Sequence, residues 1–380
     1  MDTRPMILTS LRSTGAKVGL GFALGAMAVG TIATAVTAPT STVKACVDTR
    51  TQAMYMSVDG TCSKTRTLVD IGTGSISVKS IAAAVAPSVV SINVVDSTGS
   101  GTGSGSIIRT SATVSYVLTN NHVVESAVSG GTITVEFNNG DTIGATIVGR
   151  DTTYDLAVIK INKGNLPVIA FGDSSKLSVG DPVVAIGSPL GLASTVTSGI
   201  ISAMNRPVTT GSVGSESYID AIQTDAAINP GNSGGALLDA EGKIIGVNSA
   251  IATLTSGSTS GSIGLGFSIP INQAKRIATE IIDSPTHAST RPFMGISFDS
   301  NYTGSGAKIL SITPGEAADK AGIVAGTIIH SVDGLKISDV TSAIVRIRSY
   351  APGAVVTLIV ELPSGASKTL KLTLGSAPSN

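Results

Sequence analysis

The chain has 380 residues, with 25 Lys plus Arg balanced by 25 Asp plus Glu, and it carries 44 Gly against only 6 Phe, 6 Tyr and no Trp. That length allows two or three domains, and the Gly-, Val-, Ile-, Thr- and Ser-rich mixture favours a β-rich globular protein with many turns. With no basic block and no interleaving of aromatic and basic residues, the composition argues against a nucleic-acid partner.

Residues 1–17 contain Arg4, Arg12 and Lys17 and read as a cytoplasmic, positively charged flank. Residues 18–38 carry no charge. As a helix they would span ~32 Å at ~1.5 Å per residue, against a hydrocarbon core of roughly 30 Å. A signal-peptide core is about 7–15 residues, so length favours a retained single-pass anchor in the cell membrane. Val36-Thr37-Ala38 also offers a small-residue cleavage site, so secretion after signal removal stays open. Either way the remaining chain is expected outside the cytoplasm. Residues 39–79 read as an extracytoplasmic linker holding the two cysteines, Cys46 and Cys62. In an oxidising compartment these are expected to form a disulfide worth on the order of 3 kcal/mol. No His or further Cys lies near them to build a metal site.

Within that linker, 70–79 is Gly/Ser/Thr-rich, and a short helix is predicted at 80–86, stopped by Pro87. Short β-branched runs follow at 89–95, 116–119, 132–137, 142–148 and 156–161, then at 183–186, 195–203, 218–224, 235–238, 244–250 and 265–269. Each is bounded by Gly, Asn, Asp or Pro. The glycine-rich 99–105 opens a strand and not a helix, and no acidic residue stands about 20 positions on at a strand end, so it is not a nucleotide-binding turn. Helical periodicity comes at 271–282, where Ile271, Ala274, Ile277, Ala278, Ile281 and Ile282 trace one face. Strands without intervening helices predict two six-stranded antiparallel barrels over 80–284. Two prolines within 283–292 mark an interdomain linker at 285–292. A module of strands with one helical stretch (338–349) fills 293–375, and 376–380 is expected to fray.

Chemistry concentrates at Asp225-Ala226-Ala227-Ile228-Asn229-Pro230-Gly231-Asn232-Ser233-Gly234-Gly235. The glycines permit dihedrals closed to other residues and clear side chains from around the Ser233 hydroxyl. A serine needs a base to become a nucleophile, usually an imidazole oriented by a carboxylate. Of three histidines, His287 falls in the linker and His330 in the terminal module, leaving His122 at the end of an apolar strand. Asp155 heads a buried-looking strand, where an ionised carboxylate needs a donor. The order His122, Asp155, Ser233 is that of chymotrypsin-type enzymes. The Gly231–Gly235 pattern also fits the α/β-hydrolase nucleophile elbow, but no strand precedes it, no helix follows and no suitable histidine lies downstream.

Thr119-Asn120-Asn121-His122-Val123-Val124, Tyr154-Asp155-Leu156-Ala157-Val158 and the Ser233 segment resemble the three signature segments of HtrA/Deg serine proteases. Segments 187–191 and 264–270 are similar to further family segments, and the likeness covers roughly 80–375. The resemblance implies His122 as base, Asp155 as its orienter and Ser233 as nucleophile. It places an oxyanion hole on the backbone of Gly231, Asn232 and Ser233. The terminal module resembles a PDZ domain, so the chain is expected to be mainly β: two six-stranded chymotrypsin-like barrels plus that domain. Phe293-Met294-Gly295-Ile296 looks like the loop that captures a peptide C-terminus, with the added strand lying beside a helix bearing Val340, Ile344 and Ile347. That stripe reads equally well as packing on the module's own core.

The implied function is an endopeptidase acting on unfolded or damaged extracytoplasmic proteins, needing no metal or cofactor. The alternative is a non-catalytic peptide-binding chaperone or stress sensor on the same fold. Ile228, with no acidic residue placed to hold Lys or Arg, suggests a pocket for small aliphatic residues that Ser249 would share. Ala236 stands where many relatives have proline, and little room precedes Ser106 for the long regulatory loop of some relatives. Trimers are usual in the family, but the aromatic contacts often used for them are not evident in this sequence.

Overall fold

The computed structural model describes residues 43–51, 54–57, 61–71, 77–97, 99–188, 195–210, 216–250 and 264–378. The flank 1–17, the apolar segment 18–38 with its cleavage site, residues 189–191 of one family segment and 379–380 lie outside them. Among the described residues no helix is long and apolar enough to cross a membrane.

Two compact units divide the chain between Ile76 and Ser77. In the first, the segment expected to be a linker is instead a three-stranded antiparallel sheet: β1 (Val43–Asp48) between β2 (Met54–Met56) and β3 (Arg66–Ile71). Cys46 and Cys62 are joined as a disulfide with 5.6 Å between Cα atoms. A sheet this small cannot bury a sizeable core, so a covalent staple takes over that role. The Arg66 guanidinium stacks 3.7 Å from the Tyr55 ring centre.

The second unit opens with α1 (Val78–Val85), capped by the Ser77 hydroxyl on Ser80 N–H. The first barrel comprises β4 (Val89–Val95), β5 (Ser100–Thr110), β6 (Ser115–Thr119), β7 (Thr132–Glu136), β8 (Thr142–Asp151) and β9 (Leu156–Ile161). It closes in the order β4-β5-β6-β9-β8-β7 around Val90, Ile92, Ile107, Val117, Val135 and Ile159. Between β6 and β7 lies the short helix α2 (Asn121–Val124). The second barrel comprises β10 (Pro182–Gly187), β11 (Thr195–Thr210), β12 (Ser217–Thr224), β13 (Ala236–Leu238), β14 (Ile244–Ser249) and β15 (Gly266–Pro270), closing in the order β10-β11-β12-β15-β14-β13. Helix α3 (Ile271–Asp283) buries Ile271, Ala274, Ile277 and Ile281 and packs on β8 and β9 of one barrel and β14 of the other. Each of the three isoleucines contributes about 1.5–3 kcal/mol, so one amphipathic helix clamps the barrels together.

The predicted linker 285–292 and frayed tail 376–380 both need correcting. β16 (Thr290–Phe293) pairs antiparallel with β23 (Gly375–Pro378). Backbone groups make that ladder, so the Gly-Ser-Ala-Pro side chains give no sign of it. Between these strands lie β17 (Ile296–Phe298), β18 (Ala307–Ile312), β19 (Ile328–Val332), β20 (Leu335–Lys336), β21 (Val355–Glu361) and β22 (Ser367–Thr373), with α4 (Ala317–Lys320) and α5 (Val340–Arg348). The sheet order is β17-β18-β19-β21-β22, with β20 beside β19, so β17 is an edge strand.

Helix α5 joins this module to the second barrel. Arg346 donates to Asp220 Oδ2 at 2.9 Å and to Asn205 Oδ1 at 3.2 Å. The Arg348 carbonyl accepts from the Tyr154 hydroxyl at 3.1 Å and from Gln273 Nε2 at 3.0 Å. Burial pushes the Tyr154 phenol up to about 12, so it stays a donor at physiological pH.

Candidate active site

At the end of β6 the chain turns at Asn120 (φ −80°, ψ 151°) into α2, which carries His122. Arg150 donates to the Asn121 side-chain oxygen at 2.8 Å and holds that helix down. Asp155 lies just before β9 at φ +54°, the left-handed region that Asp tolerates better than most residues. Its carbonyl accepts from Asn120 Nδ2 at 2.9 Å, which fixes the two turns against each other.

The Asp155 side chain is 2% exposed as a residue and is fully served. Oδ1 accepts the His122 backbone N–H at 3.0 Å, and the ring Nδ1 lies 2.8 Å from Oδ2 and 3.0 Å from Oδ1. The Ser249 hydroxyl lies 3.5 Å from Oδ2. An imidazole that donates from Nδ1 keeps Nε2 as its acceptor, the tautomer a general base requires.

Ser233 follows a reverse turn closed by Asn232 N–H donating to the Asn229 carbonyl at 2.9 Å. Pro230 and Gly231 are its central residues, and Gly231 at φ +94° makes it type II. Gly234, at φ +83°, has no space for a side chain, because a Cβ there would stand 2.1 Å from the Ser104 carbonyl oxygen. Gly234 N–H donates to the Asn248 carbonyl at 2.9 Å and Gly235 N–H to the Asn232 carbonyl at 3.0 Å. The intervening N–H groups of Gly231 and Ser233 donate to no described residue. The Ser233 hydroxyl accepts from Ala250 N–H at 3.1 Å and makes no hydrogen bond with the His122 ring. An oriented base, a hydroxyl and two N–H groups without a partner among the described residues are the parts of an acyl-transfer site.

The other singled-out residues are dispersed. Ile228 is buried in the core of the second barrel, against Gly266. In the terminal module Met294 is buried, and its carbonyl accepts Ala318 N–H at 2.9 Å. Gly295 takes φ +75°, where an added Cβ would stand 2.2 Å from that of Glu316. Ile296 starts the edge strand β17, Ile344 is half-buried on α5, and Ile347 belongs to the module's core. Among the described residues no group of three or more His, Cys, Asp or Glu could hold a metal ion. Sequence reasoning passed over Asn120, which ties the two turns together, and Ser104, which hydrogen-bonds the Gly231 and Ser233 carbonyls. Neither occupies a position that spacing or composition distinguishes from its neighbours.

Residues 103–247 match the trypsin-like peptidase domain family and residues 292–374 the PDZ domain family. Serine protease PepD of Mycobacterium tuberculosis is 47% identical over 79% of this chain and 66% of its own length. Periplasmic serine endoprotease DegP of Escherichia coli is 38% identical over 73% of this chain and 58% of its own. The chain spans about half to two thirds of the length of the curated relatives it matches. Among solved structures, the HtrA-type protease AlgW with tripeptide superposes with a TM-score of 0.59 at 34% identity, over 80% of this chain and 98% of that one. The serine endoprotease from Yersinia pestis gives a TM-score of 0.52 at 32% identity, over 79% of this chain and 98% of that one.

Proposed function

This chain belongs to the HtrA-type family of serine proteases, and from that premise we propose that it is a serine endopeptidase working through His122, Asp155 and Ser233. Ser233 Oγ attacks the scissile carbonyl while His122 Nε2 takes its proton, and Asp155 stabilises the imidazolium through Nδ1–H. Attack requires the Ser233 hydroxyl to turn its proton toward His122 Nε2, a bond that it does not make in this structure. The N–H groups of Gly231 and Ser233, either side of Asn232, receive the oxyanion, where one donor is worth roughly 10²–10³ in rate. The observation that carries the reading is the Asp155 carboxylate bonded to both the backbone N–H and the ring of His122.

The substrates are unfolded or damaged polypeptides outside the cytoplasm, a setting that matches the periplasmic relatives. A substrate or effector C-terminus is captured at Met294, Gly295 and Ile296 and extends the sheet along the edge strand β17, beside Val340 and Ile344. Residues 18–38 act as the membrane anchor, or are removed with cleavage after Ala38. Cleavage follows small aliphatic residues, a reading supported by the apolar Ile228 in the Ser233 segment, five residues before the nucleophile, and by the lack of an acidic residue in the sequence placed to hold Lys or Arg. Product mapping that gave mainly Lys or Arg at the cleaved position would reverse that assignment.

One observation favours a second reading. The Ser233 hydroxyl accepts from Ala250 N–H and makes no hydrogen bond with the His122 ring, an arrangement that a peptide-binding chaperone or sensor could retain. A fluorophosphonate probe and hydrolysis of an unfolded protein, compared between the parent and Ser233→Ala, separate the two. The parent is expected to label and cleave, with turnover on the order of 10⁶ above the variant. Equal labelling and equal hydrolysis would select the chaperone.

A further inference from the structure

Ser104, in the middle of β5, belongs to the first barrel, yet most of its hydrogen bonds reach elsewhere. It is fully buried. Its N–H donates to the Ser233 carbonyl at 2.7 Å, and its hydroxyl donates to the Gly231 carbonyl at 2.6 Å. The same hydroxyl accepts Ser188 N–H at 2.7 Å, from the residue that follows β10 in the second barrel. Its own carbonyl accepts the Thr119 hydroxyl at 2.7 Å, three residues before His122. Ser188 is held in turn by the Ser91 hydroxyl, which donates to its carbonyl at 3.2 Å.

These bonds have a pattern. The Gly231–Asn232 peptide is pinned at both ends, its carbonyl by Ser104 and its N–H by Asn229. The Ser233–Gly234 peptide is pinned likewise, by Ser104 N–H and the Asn248 carbonyl. The peptides that alternate with them, Pro230–Gly231 and Asn232–Ser233, carry the two N–H groups that donate to no described residue. A type II turn can invert its central peptide to type I at modest cost, which would turn the Gly231 N–H around. Clamping the neighbouring carbonyls opposes that motion. The Ser104 hydroxyl has a single proton, and Ser188 N–H occupies one of its lone pairs, so that proton is directed at Gly231.

We propose that the Ser104 hydroxyl is a positioning residue for the oxyanion turn, acting through the Gly231 carbonyl without touching substrate. The proposal rests on the reading of Ser233 as nucleophile. It is tested in the full chain with Ser104→Ala, which removes the hydroxyl and keeps the backbone donor. The expected result is a kcat lower by about 10–100-fold, less than for losing an oxyanion donor outright, with KM within about two-fold. Affinity for a peptide boronate, whose adduct places an oxygen in the hole, falls by the same factor, while affinity for the cleaved peptide product is unchanged. Wild-type kcat in Ser104→Ala, a change confined to KM, or boronate and product affinities falling together would overturn the proposal. If Ser104→Ala loses the parental melting transition, Ser104→Cys decides: its thiol is a weak donor, so reduced kcat in a folded variant supports the role and unchanged kcat removes it. A parent chain that neither labels with fluorophosphonate nor hydrolyses peptide removes the underlying reading. An active parent matched by its Ser104 variant removes this proposal alone.

Discussion

At Asp155 one carboxylate takes both the backbone N–H and the ring N–H of the same histidine, so the fold sets His122's position and tautomer together. Asp155→Asn offers an amide in place of one acceptor oxygen, and its N–H₂ must face either the backbone donor or the ring. The expected outcome is kcat lower by on the order of 10⁴ through the wrong tautomer. The melting temperature should stay within a few degrees, because Asn also tolerates the left-handed backbone at φ +54°. Steady-state kinetics beside thermal denaturation would show this; a kcat loss under about ten-fold would count against the role. His122, Asp155 and Ser233 were legible in the sequence because each stands in an ordered, locally unusual motif. Ser104 was not, since it is one of several serines in a Gly/Ser run, and only the closure of the barrels selects it. Ser249, expected to share the specificity pocket, also has its hydroxyl 3.5 Å from Asp155 Oδ2, a proximity that its place in the sequence did not announce.

Among the elements, α5 depends visibly on its first residues. Asp339 accepts Ser342 N–H at 2.7 Å, and the Ser342 hydroxyl accepts Asp339 N–H at 3.1 Å, which closes a capping box. Asp339→Ala should cost about 1 kcal/mol, read as a lower melting temperature of the PDZ domain and weaker peptide binding there. The Ser342 N–H bond holds the Asp339 carboxyl below its ordinary value. The folded state therefore favours the ionised form. The cap's contribution is present above the unfolded value of about 3.9 and fades as pH falls through the lowered folded one. In the small first unit, reducing the Cys46–Cys62 bridge should cost on the order of 3 kcal/mol by loop entropy. Hydrogen exchange under reducing conditions should show amides of β1–β3 losing protection while those of the barrels keep theirs. Strands with β-branched alternation could be read ahead of the structure; β23 could not, because Gly-Ser-Ala-Pro pairs through its backbone alone.

For the whole molecule, the decisive contact is Arg346 with Asp220, whose side chain is 6% exposed. Burial pushes the Asp220 carboxyl up and the Arg346 guanidinium pulls it back. Arg346→Ala leaves that carboxylate buried without its cation, a loss of about 3–5 kcal/mol near neutral pH. A carboxyl raised in the fold binds its proton there more readily than in the unfolded chain. The penalty should therefore shrink as pH falls through the raised folded value toward about 3.9. The difference in melting temperature between parent and variant, followed from pH 8 down to about pH 4, should narrow; a constant difference would mean that Asp220 carries no such strain. Two barrels and a terminal β module were legible from motif and pattern, but the surface joining them was not, because an Arg and an Asp far apart in sequence carry no mark of their pairing.

The same helix that borders the proposed peptide groove thus presents Arg346 to Asp220 and the Arg348 carbonyl to Tyr154 and Gln273. This bears on chimera design. A PDZ domain transplanted from a relative to change peptide preference would bring its own version of α5. Without an arginine opposite Asp220, and a carbonyl within reach of Tyr154, the graft would strand a carboxylate and a phenol inside the seam. A workable exchange must therefore carry the matching residues of β12 and of the turn before β9 along with the domain, or keep the parental helix and replace only the strands around it.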